Sequence, residues 1–397
     1  MNYVIKAVLS NPQHPECGQI TIPFPIPADQ YDQTIEMLRA MDLGHAMDRD
    51  CTVDDVDSHY SVLSTLNGTL VNVDQLDYLA KRLDSFSTDE ASQFEAMACK
   101  LGLAHIKDFI NLTFCCQQAT VITDFSDLEK VGRDHWMTVN GGTMPVEDYQ
   151  KIDGRTEALN LIQNGQGTVT PYGVVYDNGM KLTQEYNGRQ FPAYFYDSCP
   201  LAVGIRSVSQ EHKNQNPEYL YLPASDHQLE RTLLRAGAAS WQETESWIEM
   251  DALPKAISDT LHMDIESIHD LNELCRSTKD FDRAAWEKLE AVVQMAEPQC
   301  AGQIHQLAEN LDQFDFVPDI YSAGEYGRHM IQESGKFEYD PNLDDFYDYS
   351  GYGARRLEAE NGKFVASGYV AYHGTLTLEE LMMEDPAEQG FQMGGLS

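Results

Sequence analysis

Six apolar positions recur along the chain at one fixed distance. Val73, Leu76, Leu79, Phe86, Phe94 and Met97 match Ile268, Leu271, Leu274, Phe281, Leu289 and Val292, each 195 residues later. Any two amphipathic helices agree over a turn or two, because both place apolar residues every three to four positions. Agreement through six positions and across a helix break implies a duplicated module. With a three-residue shift, Ile106 and Phe109 then match Ile304 and Leu307. Similar openings precede both series. In the first, the β-like stretch Gln19-Ile20-Thr21-Ile22-Pro23 runs into a helix starting near Asp29, with Tyr31, Ile35 and Leu38 on one face. In the second, Tyr219-Leu220-Tyr221-Leu222-Pro223 runs into a helix whose Ser225 and Gln228 have capping-box spacing, followed by Leu229 and Leu233. A chain of 397 residues is expected to form two or three domains.

Charge is the second constraint. The chain has 64 acidic and 27 basic residues, a net charge of −37. Such a field repels nucleic acid and anionic membrane and attracts basic surfaces. Duplex DNA carries one charge per roughly 1.7 Å of axis, so this charge corresponds to about 60 Å of duplex. Residues 1–150 hold 23 acids and 9 bases, residues 151–217 hold 6 and 6, and residues 218–397 hold 35 and 12. A neutral middle between two acidic flanks argues against halophilic adaptation, which would acidify the whole surface.

The middle reads differently from the flanks. A helix is expected over 145–164, stopping at Asn164-Gly165. Val174-Val175-Tyr176 and Met180-Lys181-Leu182 flank Asp177-Asn178-Gly179, and a second Asn187-Gly188 turn precedes Phe191. Asn-Gly between short β-rich runs signals a hairpin, so an antiparallel meander is expected over 169–206, followed by a polar linker from Ser207 to Pro217. The expected fold class is α+β: an elongated multi-domain chain of small α+β modules with helical segments and a β-meander insert. Its parts are an acidic partial unit (1–144), a neutral helix plus β-meander insert and linker (145–217), a complete acidic unit (218–376) and a flexible tail (377–397).

Motifs for chemistry are missing. The sequence has no Gly-x-x-x-x-Gly-Lys-Ser/Thr, HExxH, Gly-x-Ser-x-Gly or complete Gly-x-Gly-x-x-Gly. Gly165-Gln166-Gly167 and Gly351-Tyr352-Gly353 read as turns. The twelve histidines are scattered, and none forms a short metal-type pair with cysteine or another histidine. Eight cysteines without a CxxC pair suit a reduced intracellular protein, and Cys115-Cys116 reads as core. Asp340, Asn342 and Asp344 occupy the first, third and fifth places of a calcium loop. The sixth is Asp345 rather than glycine and the twelfth is Gly351 rather than glutamate, so the EF-hand fails. The cluster Asp48, Asp50, Asp54, Asp55 and Asp57 also lacks the glycine. The start Met1-Asn2-Tyr3-Val4-Ile5-Lys6 carries no signal-peptide pattern and no stretch reaches membrane-span length, so a cytoplasmic protein without catalytic residues, cofactor or metal is expected. An enzyme with its site in the 145–206 segment would have only Asp153, Glu157, Asp177 and Glu185 as acid-base groups.

The acids in the second flank are one-signed. Asp264, Glu266, Asp270 and Glu273 lead into a helix; Asp312, Asp315, Asp319, Glu325 and Glu333 follow, then Glu338, Asp340, Asp344, Asp345 and Asp348. Residues 301–350 contain eleven acids and two bases. An ordinary solvated face intersperses lysine with glutamate. Here aromatics (Phe314, Phe316, Tyr321, Tyr326, Phe337, Tyr339, Phe346, Tyr347, Tyr349, Tyr352) accompany the acids instead, which suggests a fixed anionic surface on a packed scaffold.

Ser267-Ile268-His269-Asp270-Leu271-Asn272-Glu273-Leu274 resembles the opening of the central helix in ArdA antirestriction proteins. Glu325-Tyr326-Gly327-Arg328, Ile331, Glu333-Ser334-Gly335, Pro341, Leu343, Phe346-Tyr347-Asp348-Tyr349, Tyr352-Gly353, Gly362, Phe364 and Tyr372-His373-Gly374 resemble the family's C-terminal module, with Tyr326, Gly327, Arg328, Phe346, Tyr347, Asp348, Tyr349, Tyr352 and Gly353 as its signature. The resemblance covers roughly 219–374. Gly18 to Leu38 resembles the family's N-terminal strand-helix module, making the first flank a second, partial copy. The 145–217 segment has no match in the family, and neither flank reproduces its Tyr/Trp-rich opening.

The resemblance implies a DNA mimic that inhibits type I restriction-modification enzymes. The carboxylates above would stand in for phosphates in the basic groove of the methyltransferase-specificity core. It further implies a homodimer in the bacterial cytoplasm, encoded on a conjugative transposon or other mobile genetic element, binding neither nucleic acid nor membrane. The alternative is an acidic interaction module of a conjugative element that binds another basic DNA-binding protein.

Overall fold

Alternation puts Ile5, Ala7 and Leu9 of strand β1 (Ile5–Ser10) on the buried side of a sheet, opposite Ile22 and Phe24 of β2 (Gln19–Phe24). The computed structural model describes residues 3–142, 144–209, 216–336 and 338–383. Phe337, the centre of the 207–217 linker and the expected frayed tail beyond 383 lie outside the described residues. Helix α1 (Tyr31–Arg39) follows, with Tyr31, Ile35 and Leu38 buried as expected, then β3 (Cys51–Ser58) and the short β4 (Leu70–Val71). The sheet runs β2-β1-β3-β4, and its register slips between Val8 and Leu9, where Asp54 of β3 is the extra residue of a bulge.

Three helices come next: α2 (Val73–Asp84), α3 (Thr88–Leu101) and α4 (Ile106–Leu112). Asn72 and Ser87 each close a capping box at the start of α2 and α3. After them lie β5 (Thr120–Ile122), α5 (Leu128–Val139), a single turn α6 (Val146–Tyr149), α7 (Gly154–Asn164), β6 (Thr168–Thr170) and β7 (Gly173–Tyr176), with the small sheet ordered β5-β7-β6.

From residue 201 the same order begins again: β8 (Leu201–Ser207), β9 (Glu218–Leu222), α8 (Asp226–Ala236), β10 (Thr244–Asp251), the turn α9 (Lys255–Ser258), and helices α10 (Ile268–Ser277), α11 (Arg283–Ala296) and α12 (Ala301–Glu309). Then come β11 (Phe314–Pro318), α13 (Ala323–Gln332), α14 (Tyr349–Glu360), β12 (Lys363–Val365), β13 (Gly368–Tyr372) and α15 (Leu378–Met383). The sheets run β10-β8-β9 and β11-β13-β12, which repeats the orders β3-β1-β2 and β5-β7-β6. The fold is α+β, built of small modules, as expected.

The chain packs as two compact units. One comprises residues up to 198 together with 205–219 and 225–245; the other comprises 199–204, 220–224 and 246 onward. In the first, a continuous core runs from Val4 through the β1–β3 sheet to Phe94, Phe109 and Cys116. Also in the first, α8 sends Arg231 and Arg235 to the buried carboxylate of Asp74 on α2, and Arg235 Nε donates to Glu218 Oε1 at 2.7 Å. Tyr31 Oη donates to Asp74 at 3.0 Å. Burial alone would raise the Asp74 carboxyl, and the two guanidinium groups overcome it and hold it below its ordinary value.

Three expectations are corrected. The helix expected over 145–164 is interrupted: it is the turn α6 and then α7, which starts at Gly154 with Asp153 as its cap. It does stop at Asn164. The Asn178-Gly179 turn forms, both residues having positive φ and Met180 N–H donating to Asp177 O at 2.8 Å. The hairpin and meander do not form, because both edges of β7 are already paired, one with β5 and the other with β6. Met180–Leu182 has no free edge to join. Residues 177–200 instead form a strandless strap held by aromatic anchors. Tyr186 and Phe191 stack at 4.9 Å, Phe191 stacks on Tyr78 at 4.8 Å, and the Tyr186 backbone exchanges hydrogen bonds with the Asn111 side chain.

The third correction concerns the three-residue shift. Helices α4 and α12 begin at the same offset as the six apolar positions, and so do the 3-10 turns Cys116–Gln118 and Leu311–Gln313. Ile106, Phe109 and Leu112 therefore answer to Ala301, Ile304 and Leu307, all buried. A slip of one turn also pairs apolar with apolar, which is why the sequence admits it.

Candidate functional site

The expected signature residues meet in the module formed by α13, α14 and the β11-β13-β12 sheet. The two helices cross at Gly327 and Gly353. A β-carbon on Gly327 would fall inside the carbonyl oxygen of Tyr349, and one on Gly353 inside that of Ala323, so the crossing is backbone against backbone. Next to it, the rings of Tyr326 and Tyr369 lie 4.0 Å apart, and both hydroxyls donate to Glu360 Oε2, at 2.6 and 2.9 Å. Burial, reinforced by Glu360, pushes the Tyr326 hydroxyl up to about 12.

A second hub is exposed on one side. Asp344 accepts hydrogen bonds from Tyr339 Oη at 2.7 Å, Gln332 Nε2 at 2.7 Å and Tyr349 Oη. Those bonds hold its carboxyl below the usual range. Tyr347 lies between Tyr339 and Tyr349, with ring centroids 5.8 and 5.7 Å away, and the Arg328 guanidinium sits 4.7 Å over the Tyr349 ring. Asp348 caps α14 by accepting from Gly351 N–H, and Tyr352 packs against the Tyr326–Tyr369 core. Of the nine signature residues, eight therefore have internal, structural work. Phe346 is the exception, at 84% exposure.

The fourteen carboxylates separate the same way. Eight have partners and a ninth is half-buried. Glu266 is half-buried and accepts from Ala301 N–H at 2.8 Å, burial raising its carboxyl. Asp270 is half-buried in the first turn of α10, beside Gly302. Glu273 pairs with Arg276 and Glu333 with His329, both at 2.9 Å. Asp319 accepts from Tyr321 Oη, and Glu325 from Tyr321 N–H. Asp340 caps the 3-10 turn Pro341–Phe346; Asp344 and Asp348 have the roles above. The other five, Asp264, Asp312, Asp315, Glu338 and Asp345, are exposed and make no ion pair or side-chain hydrogen bond among the described residues. The density of acids along the sequence points to all fourteen alike, because spacing alone does not distinguish a cap from a free carboxylate. Asp280, Glu309 and Glu358 of the same unit are also exposed; the sequence pattern does not single them out, and only the structure identifies them.

No group of three or more acidic, histidine or cysteine side chains suited to a metal occurs among the described residues. Among the same residues no helix is long and apolar enough to cross a membrane.

The family model for antirestriction protein (ArdA) matches residues 217–371. Residues 217–371 are thus similar to an ArdA domain. The match ends one residue before the end of β13 and so spans β9 through the Tyr326–Tyr369 core and the Asp344 hub. That match supports an antirestriction role in general for this part of the chain. No curated protein matches the sequence.

Proposed function

We propose that the chain inhibits type I restriction-modification enzymes as a DNA mimic. In this reading its exposed carboxylates occupy phosphate sites in the DNA-binding groove of the methyltransferase-specificity core. The observation that carries the reading is the division of labour in the ArdA domain. Eight signature residues and eight of the acids hold the scaffold together, while Asp264, Asp312, Asp315, Glu338 and Asp345 are exposed and make no ion pair or side-chain hydrogen bond among the described residues. A fixed array of unpaired anions needs no reorganisation to meet a basic groove, and it gains from the same release of counterions that drives DNA binding. The action is expected in the bacterial cytoplasm, where incoming DNA meets restriction.

The test is displacement of a DNA duplex from a purified methyltransferase-specificity core at two salt concentrations. Displacement should weaken steeply with salt. The fivefold variant Asp264→Asn, Asp312→Asn, Asp315→Asn, Glu338→Gln, Asp345→Asn should lower the slope of log affinity against log salt by up to about 4.5, at roughly 0.9 per neutralised contact. No displacement by the wild-type chain at low salt overturns the proposal.

A further inference from the structure

The family match begins at residue 217, and nothing in it assigns a role to residues 1–176. We propose that these residues are a second, complete copy of the same module, and that they engage the same class of partner, a basic DNA-binding face, through a surface of their own. This rests on the mimicry reading above.

The equivalence extends to atoms. In the small sheets, Ile122 pairs with Val174 and Val121 with Val175; at the same offset, Val317 pairs with Tyr369 and Phe316 with Val370. Thr168 faces Val175 as Lys363 faces Val370. The caps Asn72 and Ser87 answer to Ser267 and Asp282 in the same way. Gly132 answers to Gly327, and it too is at a crossing: a β-carbon there would fall inside the Gly154 carbonyl oxygen, and one on Gly154 inside that of Glu129. Gly173 passes the Ile122 carbonyl as Gly368 passes that of Val317. Near the start, Ile26 N–H donates to Asp77 at 2.7 Å, and Ala224 N–H donates to Asn272 at 2.7 Å. Two unrelated modules would not share element order, sheet order, register, caps and crossing points.

Charge follows the copies. Residues 1–176 hold 25 acids and 11 bases, and residues 201–372 hold 31 and 14. The strap between them, 177–200, holds 3 and 2. The neutral stretch over 151–217 is the end of the first copy averaged with the strap and the first strand of the second. The first copy also has exposed carboxylates without a side-chain partner among the described residues: Asp29, Asp48, Asp55, Asp89 and Glu147. What it lacks is the aromatic interior. Val131 and Val174 stand where Tyr326 and Tyr369 stand, beside Ile122, Leu161 and Tyr176, so the aromatic residues that mark the family are replaced while Gly132, Arg133 and Asp153 keep the places of Gly327, Arg328 and Asp348.

The experiment uses the full chain with Asp29→Asn, Asp48→Asn, Asp55→Asn, Asp89→Asn and Glu147→Gln, in the same displacement assay. A lower affinity and a shallower salt slope than wild type, with an unchanged unfolding temperature, supports a second binding face. An affinity and slope equal to those of wild type overturn it while leaving the mimicry reading intact; failure of the wild-type chain to displace DNA at all removes the reading itself. Hydrogen exchange on the wild-type complex gives an answer free of substitutions. Protection within 48–57 and 128–164 supports the inference, and protection confined to 217–371 overturns it.

Discussion

The α5–α7 and α13–α14 crossings have the same backbone and different upholstery. In one, Val131 and Val174 fill the angle beside the helices with aliphatic bulk. In the other, two tilted, closely packed tyrosines share a carboxylate on Glu360. The strand register is the same in both, so the aromatic network is not what specifies the fold. The glycine contact and the short three-stranded sheet suffice for that, and the tyrosines add a polar network that one copy has and the other does without.

The largest effect should come from filling the crossings. Gly327→Val and Gly132→Val each place carbon inside a carbonyl oxygen that no rotamer change can move, and each is expected to cost about 4 kcal/mol or more. Denaturant unfolding of the two variants would measure it. A loss in only one copy would break the equivalence between them.

The openings of the copies differ in charge, and this supplies a pH test. With Ala224 aligned to Ile26, Glu218, Arg231 and Arg235 of the second opening fall where the first has Ile20, Gln33 and Met37. Burial, opposed by Arg235, pushes the Glu218 carboxyl up to about 7 from an unfolded value of 4.5. Below pH 4.5 both states hold the proton. Between about 4.5 and 7 the folded state holds a proton that the unfolded state has released, so this group's contribution to stability falls as pH rises through that window. A tenfold difference in proton affinity between the two states is worth about 1.4 kcal/mol, so the fall is on the order of a few kcal/mol. Thermal unfolding at intervals from pH 4.5 to 7.5 should show the decline, and Glu218→Gln should flatten it. An unaltered profile in that variant would mean the two openings titrate alike.

The smallest effect should come from the tyrosine pair. Tyr326→Phe keeps the ring and removes one of the two hydroxyls on Glu360, at an expected cost of about 1–2 kcal/mol. A neutral result would make the two interiors energetically interchangeable.

Much of this was legible in the sequence where burial and period coincide. The α2–α3 and α10–α11 helices were readable because their apolar faces match residue for residue at one offset. Ser225 and Gln228 announced a capping box, and the structure has it. The third module of the first copy was not legible, because it shares with the second its glycines and turns rather than its side chains. Val131-Gly132-Arg133 and Tyr326-Gly327-Arg328 agree only in the two residues that the crossing and the ring contact use. Its first strand, β5, is three residues long, too short to show alternation. Val174-Val175-Tyr176 was recognisable as a strand, but its partner was not: pairing is settled by which edge is free, and Asn178-Gly179 advertised a hairpin where no edge remained. For the surface, sequence showed an excess of acid and could not separate Asp344, bound by three donors, from its neighbour Asp345, bound by none among the described residues.

A crossing made of main-chain atoms is blind to side-chain identity. At Gly132 with Gly154, and at Gly327 with Gly353, the helices read no residue other than the absence of one. On the outer faces of the crossing helices, side chains are therefore free to drift so long as the short sheet still closes. A protein under pressure to keep changing its outer face, as one must when its targets diversify, gains from a joint of this kind. Two copies in one chain could then evolve different faces on one unchanging hinge of backbone.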